Sequence, residues 1–307
     1  MAPSEVSLEK TAAREALRRL APLRLRRPVF FVPGWTDQGC LCWTDPYVEG
    51  GADRLPGWEY TIQDWVQTIV VPVDRSAARF VKLVKDEANL VIERYQTGPR
   101  KGKIKAVTWE ADPTYYYENF FQFAELLKAR IRATGETEYD VVGHSMGGLD
   151  LIAAVTLDRT QDSEPAVQKF IETAPLDGVH RLITVATPFR GSPAARLVKR
   201  TQIDEWFRPA WSEGIRKQAE AMAPKSDSVF IDLITQPHRQ RRLLQRVPGG
   251  VYTMGSRNDP VVPNARRRIK DAHNYPGGRF RLARHSMILG ITQDPRLALA
   301  LFQILGT

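Results

Sequence analysis

Two cysteines in 307 residues, Cys40 and Cys42, are too few and too close together to staple a fold. One intervening residue is poor spacing for a disulfide, and no zinc-type pattern surrounds the pair. They read as two reduced thiols in a loop. Long hydrophobic runs are also missing. Nothing approaches the roughly 18 apolar residues that a membrane span needs, so no transmembrane segment is expected. The opening stretch MAPSEVSLEKTAAREALRRLAPLRLRRP has no continuous apolar centre of the signal-peptide kind. Glu5, Glu9 and Glu15 also argue against an organelle transit peptide. Residues 1–27 read instead as a basic, amphipathic helical extension with Leu8, Ala12 and Leu20 among its apolar positions. The cytoplasm is the default location, and secretion would require a signal segment already removed. No repeat, low-complexity tract or clean linker divides the chain, so 1–307 reads as a single domain.

Acidic residues are in deficit. Lys and Arg number 44 against 35 Asp and Glu, a net charge of +9. The excess is clustered at Arg14, Arg18, Arg19, Arg24, Arg26 and Arg27, at Arg239, Arg241, Arg242 and Arg246, and at Arg266 to Arg268. Basic patches serve nucleic acids or anionic surfaces. No nucleic-acid fold signature accompanies these, so nucleic acid is not an expected partner. A solvated basic surface is the plain reading, and contact with anionic interfaces the sharper one.

What is present is an alternation of strand and helix patterns. RPVFFV, KIKAVTW, YDVVG, HRLITVATP, GVYTMGS and GRFRLAR read as strands. Helices are expected from Asp74 to about Tyr95, from Tyr117 to Thr134, over GGLDLIAAVTL, and from Asp294-Pro295 to Leu305. Such an order implies an α/β fold with a mainly parallel sheet covered on both faces. Its active site is expected at the carboxyl ends of the strands.

VVGHSMGGLD, Val141 to Asp150, sits between a strand and a helix. Gly143-His144-Ser145-Met146-Gly147 fits G-x-S-x-G in the context where that motif has meaning. The turn must be sharp, so its flanking positions must lack side chains. The serine hydroxyl then stands above the sheet edge. The N–H of Met146 opens the helix, where an oxyanion is favoured.

A serine hydroxyl needs a base. Of the five histidines, His285 follows GRFRLAR and precedes the last helix, on the expected rim. His273 is its main rival. His144 is expected to pack beneath the turn, His180 to start a strand on the far side, and His238 to lie in a charged helix. The base needs a carboxylate to orient it. Asp259, just after the strand GVYTMGS, is the best placed, with Asp177 and Asp150 as weaker choices. The second oxyanion donor is expected in the turn PGW, with the amide of Trp35 preferred.

These motifs together resemble the α/β-hydrolase superfamily, and within it serine lipases and esterases. VVGHSMGG resembles a lipase nucleophile elbow, and VATPFRGSP a Thr-Pro-x-x-Gly-Ser element shared with lipase-like deacylases. GSRNDPVVP is similar to the acid loop, and RHSMIL to the histidine loop. The order Ser145, Asp259, His285 is that of the superfamily. Pro33-Gly34 stands where many lipases carry His-Gly. Residues 194–248 match the place of a cap or lid, whose Trp206, Phe207 and Trp211, with Met222 and Phe230, would line an acyl pocket or simply pack. The resemblance implies hydrolysis of small-molecule or lipid esters with no metal or organic cofactor. Acyl transfer or amide cleavage on the same triad are the alternatives, and a non-catalytic binding protein the remote one.

Overall fold

Alternate residues of the central strands enter two different cores. The computed structural model describes residues 5–34, 62–70, 78–80, 90–94, 104–109, 117–195, 216–257, 259–275 and 291–306. Among them, β1 (Val29–Val32), β2 (Ala78–Phe80), β5 (Tyr139–His144), β6 (Val179–Val185), β7 (Val251–Met254) and β8 (His273–Asn274) form one sheet. Its order is β2-β1-β5-β6-β7-β8, and every pairing is parallel. Phe30, Val32, Val141 and Leu182 point into one core. Their neighbours Val29, Phe31, Val142 and Ile183 point into the other. A strand buried on both faces reads as an unbroken apolar run, which is why these strands are legible.

The first core is roofed by α3 (Phe120–Arg132), α4 (Met146–Thr156) and α5 (Pro165–Phe170), with α6 (Val229–Ile234) and α7 (Pro237–Arg246) packed on them. The second is roofed by α1 (Glu5–Leu20), α2 (Ile62–Ile69) and α9 (Pro295–Leu305), the short α8 being Asn264–Arg267. The N-terminal helix is thus a working layer: Leu17 is fully buried and α1 lies along α9. No helix among the described residues is long and apolar enough to cross a membrane.

The helix expected from Asp74 to Tyr95 is not formed. Ala78–Phe80 is an edge strand beside β1, and β3 (Leu90–Arg94) pairs antiparallel with β4 (Ile104–Trp109) in a separate two-stranded sheet. Short apolar runs carry no reliable period, and strand pairing overrides their helical spacing. KIKAVTW is a strand as expected, though outside the central sheet. GRFRLAR lies outside the described residues.

The basic clusters are partly internal. Arg239 is fully buried, with Nη2 3.3 Å from Asp162 and 2.7 Å from Glu164. Arg242 reaches Asp162 at 2.9 Å and Arg246 reaches Asp177 at 3.2 Å. These arginines cement α7 to the body instead of forming a free basic surface.

Candidate active site

The carboxyl ends of four strands are level. Val32 lies one step from His144 across the β1–β5 register, and His144, Val185 and Met254 face one another across β5, β6 and β7. The residues that follow, Pro33-Gly34, Ser145, Ala186 and Gly255, therefore form one rim.

Ser145 turns the chain from β5 into α4 with φ 51° and ψ −121°, a conformation that L residues rarely adopt. Its N–H extends the sheet by one bond, donating to the Val185 carbonyl at 2.8 Å. Its side chain makes no capping bond to α4. The glycines are sterically required. A Cβ on Gly143 would lie 2.7 Å from the backbone of Gly147 and Gly148. One on Gly147 would overlap the Pro33 carbonyl, and one on Gly148 the Thr187 hydroxyl. One on Gly34 would lie 3.0 Å from Ser145 Cβ and 2.9 Å from His144 Nδ1. The turn after β1 is thereby pressed against the serine, and His144 is buried beneath it. Met146 is the first residue of the eleven-residue α4, so its amide is among the unpaired donors of a helix N-terminus.

Asp259 sits five residues beyond the end of β7 and is 4% exposed. Its Oδ1 accepts from the amides of Val261 at 2.8 Å and Val262 at 2.9 Å, which fixes the carboxylate. The loop after β6 clasps this acid loop. Ser192 Oγ donates to the Val261 carbonyl at 2.6 Å, and the Arg190 amide to the Arg266 carbonyl at 2.7 Å.

The other carboxylates stand elsewhere. Asp177 precedes β6 at the amino edge, paired with Arg246. Asp150 is fully buried within α4; its carboxyl oxygens have no hydrogen-bond partner, and burial pushes its pKa well up.

Three histidines are also placed away from the rim. His180 opens β6 beside Glu138 and Gly249, and its pKa is lowered by burial and by Arg27 and Arg181. His238 is exposed on α7. His273 pairs with Tyr252, which pairs through Ile183 with Val142, three residues before Ser145. Three strands across and three residues down put His273 about 17 Å from the serine. It is not within reach as a base. His285, Trp35, Trp206, Phe207 and Trp211 lie outside the described residues.

Of the expected cap, residues 194–195 and 216–248 are described. Arg242 Nη1 binds the Thr156 carbonyl at the far end of α4, which puts α7 at the amino edge, away from the rim. Phe230 packs edge-on against Phe120 and Phe121, and Met222 is buried in the same core. Met222 shares that core with Met146, and its carbonyl accepts from the Ser192 amide at 2.8 Å, so this part of the stretch lies beside the loop after β6. No group of three or more His, Cys, Asp or Glu suited to a metal occurs among the described residues.

No protein-family model matches the chain, and no curated protein matches it. Solved structures do. The mature Bacillus licheniformis lipase BlEst2 is 15% identical, with 92% of each chain covered and a TM-score of 0.48. Phospholipase PlaB from Legionella pneumophila is 11% identical at a TM-score of 0.45, with 93% of this chain and 60% of that one covered. A Paleococcus ferrophilus monoacylglycerol lipase is 12% identical at a TM-score of 0.41, with 93% and 96% covered. The parallel sheet order, the helices on both faces and the left-handed serine between β5 and α4 are those of the α/β-hydrolase fold.

Proposed function

We propose that the chain is a serine hydrolase of carboxylic esters that works through an acyl-enzyme on Ser145. One observation carries this reading: Ser145 is held at φ 51° on the carboxyl rim, with Gly34 pressed against its Cβ. Backbone strain of this kind is retained where a side chain must be presented for chemistry. Ser145 Oγ attacks the ester carbonyl, and His285 accepts its proton and returns it to the leaving alcohol. Asp259 orients His285. The amides of Met146 and Trp35 hold the oxyanion, and water then releases the acid.

Asp259 is supported by its place on the rim and by its two fixed amide partners. Met146 is supported by its position at the start of α4. His285 and Trp35 rest on the sequence pattern. The cap is proposed to lie within residues 194–248, with Trp206, Phe207 and Trp211 lining the acyl pocket. In this reading residues 1–307 act as one domain.

Ser145→Ala is expected to lower turnover of p-nitrophenyl esters by at least about 10⁴-fold. It is also expected to abolish labelling by a fluorophosphonate, with the fold intact by circular dichroism. A label that persists on Ser145→Ala protein would sink the assignment. A chain-length series of p-nitrophenyl esters then separates esterase from lipase behaviour.

A further inference from the structure

Arg267 ends α8, and its side chain is buried at 1% exposure. The guanidinium lies over Gly255 at the carboxyl end of β7: a Cβ there would overlap Nη1 and sit 2.7 Å from Cδ. Nη1 donates to the Ser256 carbonyl at 3.2 Å, and Nη2 to the Tyr275 carbonyl at 3.3 Å. Nε has no hydrogen-bond partner, and no carboxylate among the described residues is in ion-pair contact with the group. The charges it feels are Arg268 and Asp259. Burial and Arg268 bring its pKa down to about 10, against Asp259, so it is still a cation at neutral pH. A buried cation without a contacting anion is costly.

Ser256 opens the loop that carries Asp259. Tyr275 follows β8, where the chain sets out towards His285. We propose that Arg267 is a positioning residue that ties the Asp259 loop to the end of β8, from which the chain runs on to His285. The inference rests on the hydrolase reading above. Ser192 holds the same loop further along, at the Val261 carbonyl, so the carbonyls before and after Asp259 are both held.

The test is steady-state hydrolysis of p-nitrophenyl butyrate, with thermal melts and fluorophosphonate labelling of each protein. Arg267→Met is expected to lower kcat by about tenfold to a hundredfold, the scale of an ångström-level misplacement, with KM within about twofold. Arg267→Lys is expected to recover part of the loss. In an Asp259→Asn background the same Arg267→Met change is expected to alter kcat by less than about twofold, because its effect passes through Asp259. An equal fold-loss in both backgrounds, or wild-type kcat in Arg267→Met, overturns the proposal while the hydrolase reading stands. If Arg267→Met does not fold, Gly255→Ala carries the test, since its Cβ displaces the guanidinium and keeps the charge. Its kcat is expected to fall, and an unchanged kcat overturns the proposal. Wild-type protein inert to both ester and fluorophosphonate removes the hydrolase reading, and this inference with it.

Discussion

At the scale of single residues, position 145 sets presentation of the hydroxyl against backbone stability. A non-glycine residue at φ 51° and ψ −121° costs on the order of 1–3 kcal/mol. Glycine accepts that conformation but loses about 0.5–1 kcal/mol more chain entropy on folding. Ser145→Gly should therefore be about 1 kcal/mol more stable than Ser145→Ala, although both lack the nucleophile. In a 307-residue protein that is a rise of a few degrees or less in melting temperature, so urea unfolding is the sharper measurement. A Ser145→Gly protein less stable than Ser145→Ala by about 0.5–1 kcal/mol, the entropy cost of glycine alone, would mean that the turn is unstrained and that the serine is not presented by force. Ala186, at φ 50° just after the residue that faces His144, is the second such turn on the rim. Nothing in the sequence marks it, because alanine carries no turn signal.

At the scale of elements, a period and a punctuation mark together made most helices legible, but not all of them. The last helix shows both. Asp294 caps it, with Oδ1 accepting from the Arg296 amide at 2.9 Å, and Pro295 fills its first position. The same carboxylate receives the Arg296 guanidinium at 2.7 Å, whose other arm reaches Glu9 of α1 at 2.6 Å. Removing the cap alone costs about 1 kcal/mol. Asp294→Ala should cost about 3 kcal/mol, because it also strips the nearly buried Arg296 of its main partner. Asp294→Asn, which keeps the cap, should fall between. Unfolding free energies for both variants within about 0.5 kcal/mol of wild type would refute the coupling of cap and α1 docking. By contrast, Phe80, Val84, Val91 and Ile92 fit a helical face between Asp74 as a cap and Gly98 as a stop, yet Ala78–Phe80 and Leu90–Arg94 are strands. The candidate site divides in the same way. The turn at Ser145 was readable because G-x-S-x-G is local, and the place of Asp259 on the rim because it closely follows the strand GVYTMGS. Arg267 was not, since it looks like one more member of a basic run until the fold buries it.

At the scale of the whole molecule, the net charge of +9 conceals acids that the fold makes weaker than they are in the unfolded chain. Burial pushes Asp140 up to about 6 despite Arg181 and Arg27, and pushes the unpartnered Asp150 well above its ordinary 3.8. Both groups hold their protons more tightly folded than unfolded. Above pH 4 the native state therefore binds more protons than the unfolded chain, and stability falls as pH rises. Asp140 contributes this slope between about 4 and about 6. Asp150 contributes it from about 4 upward and beyond, at up to about 1.4 kcal/mol per pH unit. Asp162 acts the other way. Its burial is outweighed by the Asp158 amide and by Arg242 and Arg239, so the stability it gives is lost only as pH drops below about 3.8. Asp150→Asn keeps the size of the side chain and removes its proton. The variant should match wild type near pH 4, then become progressively more stable than wild type up to pH 8, with the gap widening by no more than about 1.4 kcal/mol per pH unit. Urea unfolding at pH 4, 6 and 8 measures it. Parallel pH curves for the two proteins would show that Asp150 is ionised in the native state, and that a bare charge is buried in the elbow helix.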